Sequence, residues 1–451
     1  MKSQNLLQEG DINLGFERMK WINHLPDDTM EILEDDSRHF LHQSLSTPCL
    51  DVITDCYGPY IINAQGKKIL DFHGNNLHQV GYKNSYVLDA IVQQLNTLPF
   101  SPRRFANQSA NNLAQKLTDI SPKDLDKVLL APSGAIVNSI ALKLARIYTG
   151  KHKVVSMWGS FHGAGLDTIS VGGEASFRAG IGPLMSGFSH VLPPSTYRSF
   201  WENDPFQDKY VEYIKYVFEQ EGDVGALMAE TIRNTDVQIP HKDFWKKIRA
   251  LCDEYGVLLI LDEIPTALGR TGKFFAFEHF GIIPDMVTIG KGLGGAVFPI
   301  AAILVNNKFD IASEHSVGHF THEKSPVGSA AALATIQYLE NHDIVNRVSI
   351  LERYVKEKMT LLFRQYQMIG DIRGIGLLWA IELVKNRQTK EQACDEAEKI
   401  MYYCLQNGLN FKVSQGNVLT LSPSLIISED ELFNAFQILD NAFSKYRTIS
   451  K

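Results

Sequence analysis

The stretch Leu258–Gly295, LLILDEIPTALGRTGKFFAFEHFGIIPDMVTIGKGLGG, decides how this chain folds. It opens on an unbroken apolar run that ends at two acidic residues, Asp262 and Glu263. A second short run, DMVTI, leads to Lys291 among the glycines Gly290, Gly292, Gly294 and Gly295. A short run that is apolar on both sides of its pleat belongs to a strand covered on both faces, and such strands build parallel sheets flanked by helices. In an open sheet of that kind ligands bind beyond the carboxyl ends of the strands. Asp262, Glu263 and Lys291 fall there.

Working outward, KVLLAP, HKVVSMW and GALMAE upstream and FPIAAILV downstream are further strand signals. Between them NNLAQKLTDI, NSIALKLARIYTG and KDFWKKIRALCDEYG carry helical spacing, two of them stopped by glycine. The alternation predicts an α/β domain with a mostly parallel central sheet. Before it, CLDVITDCYGPYIINAQGKKILDFHG breaks into short β-branched and aromatic runs at turn residues, the pattern of a small antiparallel sheet. Residues 1–50 read as a peripheral helix or arm. After residue 326 the pattern is helical, with strand signals at GLLWAIELV and VLTLSP and a closing helix EDELFNAFQILDNAFSKY, so a smaller α+β domain is expected.

Composition removes several classes of function. The 44 basic and 51 acidic side chains give a net charge of −7 with no long single-sign block, which argues against a nucleic-acid or membrane-surface partner. The longest apolar run, GAVFPIAAILV, is about half of the roughly 20 residues a membrane helix needs. Five scattered cysteines form no C-x-x-C pair and no zinc spacing, so no metal is expected. With no leader pattern at the first residues, a cytoplasmic enzyme acting on a small molecule is the expectation.

Four strand ends carry candidate chemistry. Ser133-Gly134-Ala135 precede a helix whose first N–H groups suit an anion, although the same residues also make ordinary turns. Trp158-Gly159-Ser160-Phe161-His162-Gly163 offers rings that either pack or stack on a planar ligand. Asp262 and Glu263 need hydrogen-bonding or cationic partners if buried. Lys291 does not fit G-x-x-x-x-G-K-[ST], so a nucleotide-binding loop is set aside, and a lysine of lowered pKa at a sheet's mouth can act as a nucleophilic amine.

Taken together, LLAPSGAIVNSIALKLAR, SFHG, the Leu258–Gly295 stretch, THEKSPVGSAAALA and IRGIGLLWAIEL resemble the class III aminotransferase family, in order from about residue 50 to 445. The resemblance implies fold type I of the pyridoxal 5′-phosphate (PLP) enzymes, with residues 1–100 as arm and part of the small domain, 101–325 as the large PLP-binding domain and 326–451 as the C-terminal small domain. It implies that Lys291 bonds to the cofactor aldehyde and moves protons at the substrate carbon. By the same resemblance Asp262 pairs with the pyridine nitrogen, Phe161 stacks on the ring, and Ile264 packs on the opposite face. Ser133, Gly134 and Ala135 cup the phosphate, and Glu230 matches an active-site glutamate. Thr321 reaches a phosphate across a dimer interface, which implies a homodimer with shared sites. Arg373 sits in a shared arginine-glycine motif and receives no substrate role.

Two departures bear on the reaction. The phosphate cup reads Ser133-Gly134-Ala135-Ile136-Val137 where relatives commonly read S-G-[TS]-E-A. Many ω-amino acid members carry E-P-V-x-G-E and a late N-V-[LI]-R, whose last glutamate and arginine form a switchable pair; here the equivalents are Thr235 and Thr420. Loss of both charges is electrostatically neutral and deletes a dicarboxylate clamp. An elimination that releases ammonia needs no amino acceptor. DFHGNNLHQVGY, PFSPRRFANQ, MWGSFHGAGLDTISVGGEA and HFTHEKSP also resemble a lyase branch of the family that acts on small amino-hydroxy-phosphonates. For a dianionic head group Arg103, Arg104, Arg178 and Arg233 are candidate cations, and His162, His73 and His78 are candidate proton donors to the leaving hydroxide. The alternatives are an ω-aminotransferase using a keto-acid acceptor and a PLP-binding protein without turnover.

Overall fold

The computed structural model describes residues 15–44 and 46–447. The chain divides into two compact units, a larger one of residues 84–234 and 238–346 and a smaller one of residues 1–83, 235–237 and 347–451.

The larger unit is built on a seven-stranded sheet. Its spatial order is Lys127–Ala131, Ala301–Val305, Met286–Ile289, Leu258–Asp262, Val224–Glu230, Lys153–Met157 and Phe188–Val191. The last five strands of that order pair in parallel, whereas Ala301–Val305 is antiparallel to both its neighbours. The exception has a simple cause. The chain between Ile289 and Ala301 is too short for a crossover helix, so it turns back and pairs antiparallel. Every residue of the Val224–Glu230 and Leu258–Asp262 strands is buried, as their unbroken apolar runs require.

The Gly134–Thr149 helix shows why its sequence begins and ends there. The Ser133 hydroxyl accepts from the Ile136 N–H at its start, and Gly150 closes it at φ +66°. Its buried face, including Val137, Ile140, Ala141 and Leu144, packs on Val154, Met228, Ile260 and Met286 of the sheet. Helix Pro326–Asn341 packs on both Ser85–Thr97 and Gln108–Ile120 within this unit. The division of the chain therefore lies at residues 83/84 and 346/347, not at the expected 100/101 and 325/326.

The smaller unit holds two sheets. Ile53–Tyr57, Tyr60–Asn63 and Lys68–Asp71 form the expected antiparallel meander, and Leu409–Asn410 adds a parallel strand to its edge. Ile369–Ile375, Leu378–Asn386, Val418–Leu421 and Lys412–Ser414 form the second sheet, all antiparallel. The arm expected within residues 1–50 contains helices Phe16–Ile22 and Asp27–His39, while residues 1–14 lie outside the described residues. Among the described residues no helix is long and apolar enough to cross a membrane.

Candidate active site

The carboxyl ends of the central strands gather three buried carboxylates, and each is held differently. Asp262, 2% exposed, ends the Leu258–Asp262 strand. Its Oδ2 accepts from Asn138 Nδ2 and lies against His162 Nδ1, both at 2.8 Å, while Oδ1 accepts from the Ile264 N–H at 3.1 Å. Asn138 is itself fixed, donating to the His162 carbonyl and accepting from the Thr288 hydroxyl, each at 2.8 Å. The one remaining buried polar atom of the group, His162 Nε2, has no hydrogen-bond partner among the described residues. The imidazole proton is therefore best placed on Nδ1, facing Asp262. His162, a candidate proton donor, is committed to orienting this carboxylate.

Asn138 and Thr288 were not singled out from sequence. The signal was present for Asn138: it is a polar residue on the apolar face of NSIALKLARIYTG, and its only outlet there is a buried partner.

Glu230 ends the neighbouring strand and accepts from two backbone N–H groups, Phe161 at 3.2 Å and Asn234 at 2.8 Å. It thereby ties the turn carrying Phe161 to the sheet. Burial pushes its pKa up, and the nearby His162 and the Asn234 N–H pull the other way.

Glu263 is fully buried and accepts from the Thr231 hydroxyl and the Phe277 N–H, both at 2.7 Å, and from the Ala276 N–H at 2.6 Å. It anchors the Ala276–Phe280 turn and uses both oxygens to do so. Burial raises its pKa from 4.5 to about 7. The unfolded chain sheds this proton first, so the native state binds more protons between those values and stability falls as pH rises through them. The contribution of Glu263 is complete below the unfolded value and lost above the folded one. In Glu263→Gln the melting temperature is expected to gain on the wild type as pH rises across that window and to run parallel above it. A difference that does not vary with pH overturns this assignment.

Beyond Asp262 stand a helix N-terminus, an aliphatic side chain, an aromatic ring and Lys291. The Gly134 and Ala135 N–H groups open the sixteen-residue Gly134–Thr149 helix, where unpaired N–H groups and the helix dipole favour negative charge. Ile264 lies against this cup: a Cβ on Gly134 would come within 2.8 Å of Ile264 Cδ1, and one on Gly290 within 3.5 Å of Ile264 Cγ2. Phe161, 36% exposed, follows the Lys153–Met157 strand and touches Phe177 at 4.6 Å between ring centroids. Lys291 begins a short turn, Lys291–Gly294, directly after the Met286–Ile289 strand. It is exposed and sits at φ +46°, a conformation most non-glycine residues avoid.

The candidate head-group cations separate on inspection. Arg103 and Arg104 stand exposed in a turn. Arg233 donates from Nε to the Gly159 carbonyl at 2.8 Å, with its guanidinium laid over Gly159. Arg178 lies half-buried against the Trp158 ring. Thr321 is exposed in a turn.

In the smaller unit His78 is buried, with Nε2 at 3.0 Å from the Asp71 carbonyl, whereas His73 is partly exposed at the start of the Gly74–Asn76 turn. There too the Thr420 hydroxyl donates to the Thr235 carbonyl at 2.9 Å, so the two threonines stand side by side. Arg373 pairs with Asp371 and Glu382, each at 2.8 Å, and donates to the Asp236 carbonyl, a structural role.

The chain belongs to the class III aminotransferase family, whose model matches residues 43–443. These are PLP-dependent enzymes of fold type I, and this chain is one of them. It is 48% identical over 465 aligned positions to an (R)-1-hydroxy-2-aminoethylphosphonate ammonia-lyase of Vibrio splendidus, covering 99% of this chain and 96% of that protein. A leucine/methionine racemase of Thermococcus litoralis is 35% identical, over 92% of this chain and 95% of its own length. Among solved structures, a PLP-bound amine transaminase from an uncultivated Pseudomonas species superposes with a TM-score of 0.86 at 27% identity, covering 90% of this chain and 98% of that one. The ω-transaminase of Pseudomonas jessenii in complex with PMP gives 0.87 at 25%, covering 92% and 98%.

Proposed function

We propose that this enzyme is a PLP-dependent ammonia-lyase that converts (R)-1-hydroxy-2-aminoethylphosphonate to phosphonoacetaldehyde and ammonia. The observation that carries the reading is the pairing of Thr420 with Thr235: where many relatives keep a charged pair for exchanging amino donor and acceptor, this chain has two neutral threonines, the Thr420 hydroxyl donating to the Thr235 backbone carbonyl. The similarity to the Vibrio splendidus enzyme supports the same substrate.

The residues fit PLP. The Gly134 and Ala135 N–H groups and the Ser133 hydroxyl would take the phosphate, Ile264 and Phe161 would pack against the ring, and Asp262 would meet the ring nitrogen. Lys291 would hold the cofactor covalently. Bound PLP supplies a sink for the electron pair left when the carbon bearing nitrogen loses a proton. Asp262, oriented by Asn138 and His162, would keep positive charge on the ring nitrogen. Glu230 holds Phe161 in place through its N–H. Lys291 Nζ removes the proton, hydroxide leaves the neighbouring carbon, and water returned at the carbon bearing nitrogen releases ammonia. The water lost and the water consumed balance, so the products contain the atoms of the substrate. We infer further that two copies form a homodimer, with Thr321 of each serving the phosphate end of the other's site.

The test is to incubate the purified enzyme with (R)-1-hydroxy-2-aminoethylphosphonate and no keto acid, and to assay ammonia and aldehyde. Equal amounts of both are expected. Turnover only when a keto acid is supplied overturns the lyase reading in favour of an ω-aminotransferase, and no turnover in either case points to a PLP-binding protein without activity.

A further inference from the structure

The Trp158-Gly159-Ser160-Phe161 turn leads from the end of the Lys153–Met157 strand, and a single helical turn, Ala175–Arg178, is pinned to it at two points. Phe177 contacts Phe161, and the Arg178 guanidinium carbon lies 5.5 Å from the centre of the Trp158 ring. Trp158, 44% exposed, stacks in turn on His190 with centroids 4.5 Å apart. A cation is thus fixed on the same turn as the aromatic residue that packs on the cofactor.

What surrounds that cation is neutral. Nη1 of Arg178 donates to the carbonyls of Ile169 at 3.4 Å, Ser170 at 3.1 Å and Gly172, and lies 3.2 Å from His190 Nε2. Burial, and then the charge of Arg178, pushes the pKa of His190 down, so the imidazole is uncharged at neutral pH. Among the described residues Arg178 forms no ion pair, and burial alone lowers its own pKa. Four contacts converge on one nitrogen, and among the described residues the Nε and Nη2 donors have no protein acceptor. A partly desolvated guanidinium with a whole edge free and no counter-ion is arranged to receive an anion with two oxygens to offer.

We propose that Arg178 is the specificity-determining residue that receives the dianionic phosphonate head group, an inference that rests on the lyase reading for the identity of its ligand. Nη1 caps the carbonyls that end the Leu166–Val171 helix, which sets the angle of the guanidinium plane, and the opposite edge binds oxygen. Arg233 has its Nε turned to the Gly159 carbonyl and its plane on the backbone, which makes it the poorer candidate.

The experiment uses the PLP-loaded enzyme, so that the phosphate cup is already filled, with methylphosphonate as the probe. In the wild type methylphosphonate is expected to raise the melting temperature and inhibit competitively. In Arg178→Met, which keeps an apolar stem against Trp158, both effects are expected to vanish, and kcat/KM for the amino-hydroxy-phosphonate is expected to fall by about 100-fold through KM. Arg178→Lys keeps the charge without the fork and is expected to recover part of the loss.

Unchanged inhibition in Arg178→Met overturns the proposal. So does a fall in kcat with KM intact, together with a lower melting temperature without ligand, which is the mark of a helix cap alone. Failure of the wild type to release ammonia without a keto acid counts against the lyase reading, whereas the methylphosphonate comparison judges Arg178 independently.

Discussion

Lys291→Ala is expected to lower turnover by at least about 10⁴-fold, because in the proposed function one side chain both holds the cofactor and moves the proton. The visible absorbance of lysine-bound PLP is expected to disappear in the same variant, and PLP to become removable by dialysis, since Ser133, Gly134, Ala135 and Asp262 would then hold it without a covalent bond. An alanine enzyme that keeps both its colour and its rate overturns the assignment.

Backbone geometry adds an independent argument. At φ +46° a side chain with a Cβ costs about 1 kcal/mol that glycine does not incur, and glycines already occupy positions 290, 292, 294 and 295 around it. A lysine of no consequence here would be the less stable choice. Lys291→Gly is therefore expected to melt at a higher temperature than Lys291→Ala when both are freed of cofactor, while both remain inactive. Strain retained at one position of a glycine-rich turn is what a functional residue leaves behind.

The parts of this site visible in the sequence are those that local rules determine. Asp262 and Lys291 stand out because LLIL and MVTI are apolar apart from one threonine, so their strands end at an identifiable place: Asp262 closes the first, and Lys291 lies two residues beyond the second. The proposed phosphate cup is legible because Ser133 and Gly150 bracket one helix. The Phe188–Val191 strand is not: it lies at the sheet edge, and FSHV is short, half polar and only partly buried. The Asp208–Glu221 helix buries Tyr210, Ile214 and Phe218 at a regular spacing, but Tyr213 and Tyr216 off that face blur the periodicity.

Least legible are partnerships over distance. Nothing local in NSIALK indicates that Asn138 will meet Asp262, or that His162 will face the same carboxylate oxygen. Only the order of strands in the sheet brings them together. The division of the chain is hidden for the same reason: Pro326–Asn341 reads as the start of the C-terminal domain, yet its buried face packs on Ser85–Thr97 and Gln108–Ile120.

Asp262→Asn is the second change expected to be severe, with kcat/KM falling by about 10³-fold. The substitution preserves shape, so the loss isolates charge and hydrogen-bond polarity. Oδ2 of the aspartate meets Asn138 Nδ2 and His162 Nδ1, and Oδ1 meets the Ile264 N–H. An amide has one accepting end, so whichever way it is turned an NH₂ group faces a buried donor. Moving the His162 proton to Nε2 gives no relief, because Nε2 is buried without an acceptor. The mismatch is expected to cost about 1–3 kcal/mol of stability, seen as a lower melting temperature.

The larger effect is on chemistry. A neutral amide does not hold positive charge on the ring nitrogen, so the electron sink is weakened even when the cofactor is fully bound. The two effects separate in Asp262→Ala, which leaves room beside that nitrogen. Reconstituted with PLP methylated at the ring nitrogen, this variant is expected to recover part of its rate, since the positive charge is then fixed, while its melting temperature stays low because Asn138 and His162 still lack their acceptor. Recovery of stability without rate would instead make Asp262 a packing residue and return the search for the charge that serves the cofactor to Glu230, the other buried carboxylate beside Phe161.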